Sequence, residues 1–249
     1  MPGNAPPLVL AVPGASSPAA TAVAKEIATL ARASLSGVDI RIGFLGGDEP
    51  SLPTVLSSDD RGSPAIVVPL VPDPDPRVEG ALRRAIADAG VSARLAPPLG
   101  PHPLLAEALH IRLSEAGLAR ADRMRLLALI TAADGIVVAT SGGEEAAKSA
   151  AVTGVLLAAR LAVPVAAVAL EGKRTIAEAA EQLRSVGARR LALAPSLIMP
   201  NPEAEKQLVE AAEEAGCEHA EPLRAHPCVA QLVAVRYTET LEEGDTPAG

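Results

Sequence analysis

Aromatic side chains are almost missing from this chain of 249 residues, which has no Trp and only Phe44 and Tyr237. Proteins that bind single-stranded nucleic acid stack the bases on aromatic side chains, so the composition disfavours that class of function. The net charge of −8, without a cluster of Lys and Arg, also disfavours contact with a phosphate backbone. We therefore expect no nucleic-acid partner.

Cysteines and long apolar runs are scarce as well. Cys217 and Cys228 are too few for a disulfide scaffold and are typical of a reducing compartment. The opening M-P-G-N-A-P-P has no basic region ahead of an apolar run and does not resemble a secretory signal. The most membrane-like stretch, residues 150–170, contains Arg160 and Pro164. A charge at the centre of a membrane span costs about 2.5–3.5 kcal/mol, so we interpret this stretch as a helix followed by a strand. We expect a cytoplasmic protein with no membrane partner.

The chain does contain a long internal repeat. The pattern P-L-x-x-H-P occurs at Pro98–Pro103 and again at Pro222–Pro227, 124 residues later. Single residues recur beside matching apolar runs at similar spacing, namely Gly14 with Gly142 and Pro69 with Pro195. A repeat of this length exceeds the unit of a solenoid. It indicates two homologous, pseudo-symmetric halves with a cleft between them.

Short apolar runs alternate with segments of helical periodicity, and this alternation predicts an α/β fold. The runs have little polar alternation, as expected for parallel strands covered on both faces. The predicted strands are Leu8–Val12, Val38–Leu45, Ala65–Val71, Val91–Ala96, Ile136–Thr140, Val163–Leu170, Arg190–Ala194 and Cys217–Ala220. The predicted helices are Pro18–Leu35, Pro76–Ala89, His102–Ala116, Glu144–Leu161, Arg174–Val186, Pro202–Ala215 and Pro227–Tyr237. Each half is therefore expected to hold a parallel four-stranded sheet flanked by helices.

The repeat also sets the predicted domain boundaries. Residues 8–117 are the N-terminal half and residues 118–237 the C-terminal half, with a bridging helix over Asp122–Ala132. Residues 1–7 are expected to be flexible. Residues 238–249 are rich in acidic side chains and are expected to form a disordered tail.

Ligands of open α/β sheets bind outside the carboxyl ends of the strands, and this rule selects the loops that follow them. The candidate ligand-binding residues are Gly14, Ala15 and Ser16, their counterparts Ser141, Gly142 and Gly143, and the histidines His102 and His226 of the repeated pattern. The loop Ser141–Gly143 could offer backbone N–H groups to a carboxylate or phosphate. It could equally be a plain helix start, where Glu144 favours the dipole. Each histidine could contact an anionic substrate or could cap the helix that begins at the next proline.

The order C-x-H…H-x-C between Cys217 and Cys228 has the ligand types of a zinc site. Cys217 and His219 would share one face of a strand, whereas His226 and Cys228 would begin the next helix. A strand start and a helix start are expected at opposite ends of the sheet. Buried cysteines and a surface histidine are therefore the competing interpretation.

The repeated P-L-x-x-H-P, the turn after the first strand and the proline of the third strand resemble the sirohydrochlorin and cobalt chelatases of the class II type, in their two-half form. The resemblance extends from Leu8 to Tyr237. It implies insertion of a divalent metal, Co, Fe or Ni, into a tetrapyrrole during cobalamin or sirohaem synthesis. It also implies the metal as a substrate with no tightly bound cofactor, a tetrapyrrole as the small-molecule partner, and a monomer or homodimer.

The chain departs from that family at the expected active-site histidines. The family's first-strand loop, A-H-G-S-R-D-P, corresponds to V-P-G-A-S-S-P at Val12–Pro18, so Pro13 replaces the histidine. The third-strand loop, Leu70–Val78, also has no histidine. Imidazole suits both the removal of pyrrole protons and the binding of Co²⁺, Fe²⁺ or Ni²⁺. Asp73 and Asp75 could replace it as base or oxygen ligand, or D-P-D-P could be a solvated, proline-stiffened loop. The alternative function is a catalytically impaired homologue that binds a tetrapyrrole or metal as a carrier, sensor or assembly partner.

Overall fold

The computed structural model describes residues 5–47, 50–58, 64–120 and 132–245. The chain forms two compact units. The first comprises Met1–Val71, Pro76–Leu99 and Ala225–Gly249, and the second comprises Pro72–Asp75 and Gly100–Arg224. No helix within the described ranges is long and apolar enough to cross a membrane.

Strands and helices alternate along the chain. The first eight elements are β1 (Leu8–Ala15), α1 (Pro18–Ala31), β2 (Ile40–Gly46), α2 (Leu52–Ser57), β3 (Ala65–Pro69), α3 (Pro76–Asp88), β4 (Ala93–Leu95) and α4 (Pro103–Glu115). The next eight are β5 (Gly135–Thr140), α5 (Glu144–Leu161), β6 (Val165–Ala169), α6 (Ile176–Ser185), β7 (Leu191–Ser196), α7 (Pro202–Glu214), β8 (Cys217–His219) and α8 (Pro227–Asp245). Two parallel four-stranded sheets result, in the orders β2-β1-β3-β4 and β6-β5-β7-β8. The predicted fold class is confirmed.

The central strands follow from their apolar composition. Every residue of β3, β5 and β7 is buried, as expected for parallel strands covered on both faces. The helices begin at recognisable caps. Ser17 and Asn201 accept hydrogen bonds from the first turns of α1 and α7, each with a proline in that turn. Thr175 and Glu178 form a capping box at α6.

The internal repeat is visible in the backbone of both units. Gly14 lies near the end of β1 and Gly142 follows β5, and both have positive φ, 85° and 97°. The two repeated prolines occupy the same register, because Ala11 pairs with Pro69 and Ala139 pairs with Pro195. Glycine adopts positive φ without the steric cost that other residues meet. The repeat therefore preserves both the strand register and the turn that follows the first strand of each sheet.

The compact units do not coincide with the two halves that the repeat defines. Helix α4, from the N-terminal half, packs on α5 and β7, whereas α8, from the C-terminal half, packs on α1 and β3. Each of these two helices buries apolar side chains against the sheet of the other half, among them Leu105 and Leu109 of α4. Since the two sheets are homologous, an apolar helix face fits either of them. The sequence alone therefore leaves the choice of sheet open.

Both ends of the chain hold structure that the sequence did not predict. The predicted disordered tail is wrong for residues 238–245, which continue α8. Arg94 of β4 donates to the carbonyls of Thr240 and Leu241 at 2.9 and 3.3 Å, and these bonds satisfy acceptors near the helix end. Within the predicted flexible N-terminus, the Pro6 carbonyl accepts from the Tyr237 hydroxyl at 2.7 Å and the Pro7 carbonyl from the Ile66 amide at 2.9 Å. Residues 122–131 of the predicted bridging helix lie outside the described residues.

One described helix was not predicted from the sequence. Helix α2 has six residues, L-P-T-V-L-S, which is too short to show helical periodicity. Its only local signals are the capping residue Ser51 and a proline in the first turn.

Candidate functional site

The carboxyl end of β5 in the second unit gathers several of the predicted site residues. The segment Pro72–Asp75 belongs to this unit, although residues on both sides of it belong to the other. In the second sheet β6 lies on one side of β5, and the chain then crosses to the other side of β5 to form β7. This is the switch point at which open α/β sheets bind ligands. Asp73, Asp75 and the loop Ser141–Gly143 therefore share the predicted functional edge.

Asp73 is buried rather than solvated. Only 3% of its surface is exposed, and its Oδ1 accepts a hydrogen bond of 2.6 Å from the Ser149 hydroxyl on α5. Its Oδ2 is buried and has no hydrogen-bond partner among the described residues. The Thr140 hydroxyl at the end of β5 lies close enough to favour the ionised form of the Asp73 carboxyl. It does not reach hydrogen-bonding geometry, and it has no hydrogen-bond partner in the described chain.

The environment of Asp73 favours its neutral form. Burial raises the pKa of this carboxyl, and the neighbouring hydroxyls of Ser149 and Thr140 oppose the rise only in part. A neutral carboxyl can use one oxygen as an acceptor and the other as an O–H donor. The D-P-D-P segment is therefore not simply a solvated loop, because the Asp73 carboxyl is shielded from solvent.

Asp75 is more exposed than Asp73 and lies beside the loop Ser141–Gly143. It is half-buried, and its Oδ2 lies 3.5 Å from the position that a Cβ on Gly142 would occupy. Gly142 combines a φ of 97° with little free space, since the same Cβ would lie 3.0 Å from the Cβ of Ala146. The loop therefore needs glycine at this position, and glycine lets the Asp75 carboxyl approach the end of β5.

The loop before α5 is hydrogen-bonded to the loop that follows β6. The Glu171 amide donates to the Gly142 carbonyl at 3.0 Å, and the Lys173 amide donates to Glu144 Oε1 at 2.7 Å. Gly143 is the N-cap of α5 and contributes no side-chain hydrogen bond. Glu144 and Glu145 occupy the first helical turn, where carboxylates interact favourably with the dipole. These contacts are those of an ordinary helix start, and the binding of an anion by the N–H groups of Ser141–Gly143 stays a prediction.

The two repeated histidines have the same local geometry. His102 Nδ1 accepts from the Leu104 amide, and His226 Nδ1 accepts from the Cys228 amide, both at 3.1 Å. Each ring therefore caps the first turn of a helix, α4 or α8, and its Nδ1 is not available to a ligand. His226 is buried and His102 is half-buried. The capping interpretation accounts for the presence of a histidine in both copies.

The corresponding loop of the first unit is open. Gly14, Ala15 and Ser16 are exposed at the end of β1. A cavity of about 480 Å³ adjoins the start of α1, and its lining residues are Ser16, Ser17, Pro18, Thr21, Ala22 and Lys25. The lining carries hydroxyls and one ammonium group and no carboxylate, so an anionic substituent is the ligand chemistry that it matches.

The order C-x-H…H-x-C does not form a metal centre. Cys217 and His219 belong to the second unit and His226 and Cys228 to the first. Across the described ranges, no group of three or more His, Cys, Asp or Glu side chains is placed to hold a metal ion. Burial also raises the pKa of the Cys217 thiol, which disfavours the thiolate that a metal requires. Both cysteines are buried, and neither forms a disulfide.

Two functional candidates were missed from the sequence. Ser149 and Thr140 contact or adjoin Asp73, yet they lie in an apolar helix and an apolar strand. One local signal exists, since Ser149 and Thr153 are polar residues four apart on the otherwise small and apolar buried face of α5. The partner of Ser149 could not be found in this way, because Asp73 is distant in sequence.

Comparison with known proteins agrees with this fold. Residues 7–116 match the family CbiX. SirB of Bacillus subtilis subspecies spizizenii, a sirohydrochlorin chelatase in complex with cobalt, has a TM-score of 0.67 at 16% identity, over 96% of this chain and 98% of that one. CbiX, the terminal enzyme for siroheme biosynthesis in denitrifying bacteria, has a TM-score of 0.62 at 19% identity, over 96% and 100%.

A third similar structure is DR2241 from Deinococcus radiodurans, a multi-domain protein with structural similarity to chelatases. It has a TM-score of 0.68 at 19% identity, over 94% of this chain and 55% of that one. No curated protein matches the chain in a comparison of sequences. At these identities the solved structures establish a chelatase-like fold, and residues 7–116 are similar in sequence to the CbiX family.

Proposed function

We propose that this chain, whose residues 7–116 match the CbiX family, inserts a divalent metal ion into a tetrapyrrole. The observation that carries the proposal is the half-buried Asp75 carboxyl beside Gly142, at the switch point of a chelatase-like sheet. The substrates are a carboxylate-bearing tetrapyrrole and Co²⁺, Fe²⁺ or Ni²⁺, in sirohaem or cobalamin synthesis. The proposal requires no resident cofactor, and it includes a cytoplasmic protein that is a monomer or a homodimer.

Metal insertion needs a proton acceptor. As the metal ion enters the ring, two pyrrole N–H bonds break and two protons leave, so the ring nitrogens bind the metal as anions. A carboxylate within hydrogen-bonding reach of a pyrrole N–H can accept one proton as a general base, and solvent accepts the other. We assign the first role to Asp75, because it is the less buried of the two candidate carboxyls.

The exposed residues Gly14–Ser16 at the end of β1, with the cavity beside them, form a candidate anion-binding surface of the first unit. Tetrapyrroles of this class carry several carboxylate substituents, and the cavity is lined by hydroxyls and by Lys25. We infer that this surface contributes to substrate binding through charge-assisted hydrogen bonds.

A second candidate function is tetrapyrrole binding without insertion, as a carrier, sensor or assembly partner. It is favoured by the residues that follow the central strands. Pro13 lies near the end of β1, and neither Leu70–Asp75 nor Ser141–Gly143 nor Leu197–Asn201 contains a histidine. Imidazole is the usual side chain for proton transfer near neutral pH, so its absence from these loops favours binding without insertion.

The absorption spectrum of the tetrapyrrole separates the two functions. We would mix the protein with sirohydrochlorin and Co²⁺, Fe²⁺ or Ni²⁺ and follow the spectral change of metal insertion against a protein-free control. Insertion faster than the uncatalysed rate is expected. A shifted spectrum that shows binding, with insertion at the uncatalysed rate, would instead establish the second function.

The role of Asp75 is tested by an isosteric substitution. Asp75→Asn removes the proton acceptor and is expected to slow insertion about 100-fold or more, within the range for loss of a general base. Asp88→Asn, an exposed aspartate at the end of α3, is the matched control and is expected to keep the wild-type rate. Equal rates for Asp75→Asn and Asp88→Asn would contradict the assignment.

A further inference from the structure

Two hydrogen bonds join the segment Pro72–Asp75 to the rest of the second unit. The Gly100 amide donates to the Pro72 carbonyl at 2.7 Å, and the Ser149 hydroxyl donates to Asp73 Oδ1 at 2.6 Å. Gly100 allows the first contact, because a Cβ there would lie 2.5 Å from the Pro72 oxygen. The second contact joins the segment to α5, the helix that follows the loop Ser141–Gly143.

The second attachment is the more specific. Asp73, Ser149 and Thr140 are 3%, 7% and 0% exposed, so no water from the bulk competes for their hydrogen bonds. Asp73 Oδ2 and Thr140 Oγ1 are also buried, and neither has a hydrogen-bond partner in the described chain. Buried polar groups are normally paired, and polar groups retained inside a core often specify one arrangement. A side chain so enclosed cannot take a proton from a bound ring, but it can fix the chain around it.

We propose that Asp73 is a positioning residue for Asp75. Its buried carboxyl binds Ser149 and so holds the segment Pro72–Asp75 with the Asp75 carboxyl against Gly142. This inference rests on the proposed role of Asp75 and differs from the assignment of Asp73 as a proton acceptor. It adds Ser149 to the residues on which the reaction depends, although Ser149 does not touch the substrate.

Substitutions at both ends of the contact test the proposal. Asp73→Asn keeps an oxygen acceptor for Ser149 and is expected to insert metal within about twofold of the wild-type rate. Asp73→Ala and Ser149→Ala remove the contact and are expected to lower kcat about 10- to 100-fold, as small displacements of reacting groups do, with little change in KM. Thr153→Val is the matched control for Ser149→Ala, since Thr153 is a buried hydroxyl one turn away on α5 without a hydrogen-bond partner in the described chain.

A second measurement does not depend on activity. Pro72, Pro74 and Pro76 have no N–H, so hydrogen exchange in the peptide Leu70–Val78 reports on few amides, among them Asp73 and Asp75. Without ligand, this peptide is expected to exchange faster in Asp73→Ala and Ser149→Ala than in wild type, and at the wild-type rate in Asp73→Asn and Thr153→Val.

The outcomes separate the two proposals. If wild type does not insert metal, the proposed function fails, and the exchange measurement still tests the attachment. Unchanged exchange in Ser149→Ala would overturn the positioning role whatever the activity. An Asp73→Asn variant that folds and yet is as slow as Asp75→Asn would show that Asp73 is itself the proton acceptor. Should Asp73→Ala fail to fold, Ser149→Ala carries the test.

Discussion

Replacing Asp73 by asparagine is expected to make the protein more stable at neutral pH. The wild-type carboxyl is buried, and in its ionised form one of its oxygens has no partner among the described residues. Asparagine has the same shape, keeps an acceptor for Ser149 and places an N–H₂ donor where the Thr140 hydroxyl lies unpaired. The substitution therefore removes the cost of either burying the charge or protonating the carboxyl at neutral pH, and it retains the contact.

The raised pKa of Asp73 fixes the direction of the pH dependence. Below the ordinary carboxyl pKa of 3.8, Asp73 is protonated in both the folded and the unfolded chain and costs nothing. As the pH rises, the unfolded chain loses this proton first, so the wild type loses stability until the pH passes the folded-state pKa. Above that pH the loss is constant. Asp73→Asn has no such dependence.

The magnitude follows from the unpaired oxygen. Leaving a buried polar group without a hydrogen-bond partner costs about 1–3 kcal/mol, and more when the group is charged. We expect Asp73→Asn to raise the free energy of unfolding by about that amount at pH 8. For a domain of this size, the rise in Tm is about 2–4 °C for each kcal/mol.

Thermal unfolding of wild type and Asp73→Asn, followed by circular dichroism from pH 4 to pH 8, measures the effect. The difference in Tm is expected to be small at pH 4 and to grow toward pH 8. A lower Tm for Asp73→Asn at pH 8, or a difference that grows toward acid pH, would mean that the native carboxyl is ionised and stabilised by a partner. The reasoning from burial would then be refuted.

Two further substitutions test the loops. Gly142→Ala places a side chain at a φ of 97° with a 3.0 Å contact to the Ala146 Cβ, and it is expected to cost about 1–2 kcal/mol of stability in denaturant titrations. An unchanged midpoint would mean that the loop relaxes freely. His226→Ala is expected to cost about 1 kcal/mol through loss of the cap on α8, and His226→Asn to restore most of it. If tetrapyrrole affinity falls in both variants while stability is unchanged, His226 binds the ligand and its cap is secondary.

The elements of the fold could be predicted from the sequence because their signals are local and occur twice. Apolar runs such as Ile136–Thr140 and prolines such as Pro202 mark strands and helix starts without reference to the rest of the chain. Helix α2 lacks such a signal because it is too short. The helical end of the chain was missed because its stabilising bonds come from Arg94, far away in sequence.

The candidate site was predicted only in part for the same reason. The strand-end rule selects Asp73, Asp75 and Gly142 from sequence. Whether a carboxyl in D-P-D-P is solvated or buried depends on what packs over it, and Asp73 meets Ser149 only in the folded unit. The histidines show the reverse case. Their repetition already favoured a structural role, and the capping bonds of His102 and His226 agree with it.

The division of the chain into compact units has a practical consequence. The polypeptide passes from one unit to the other four times, after Val71, Asp75, Leu99 and Arg224. No single cleavage can therefore release an intact unit, and truncation at the midpoint of the repeat would leave each fragment with a sheet but without the helix that packs on it. Fragments cut at the midpoint of the repeat are therefore expected not to fold independently. To study the two sheets separately, α4 must be joined to the second sheet and α8 to the first, because these are the sheets that the helices cover.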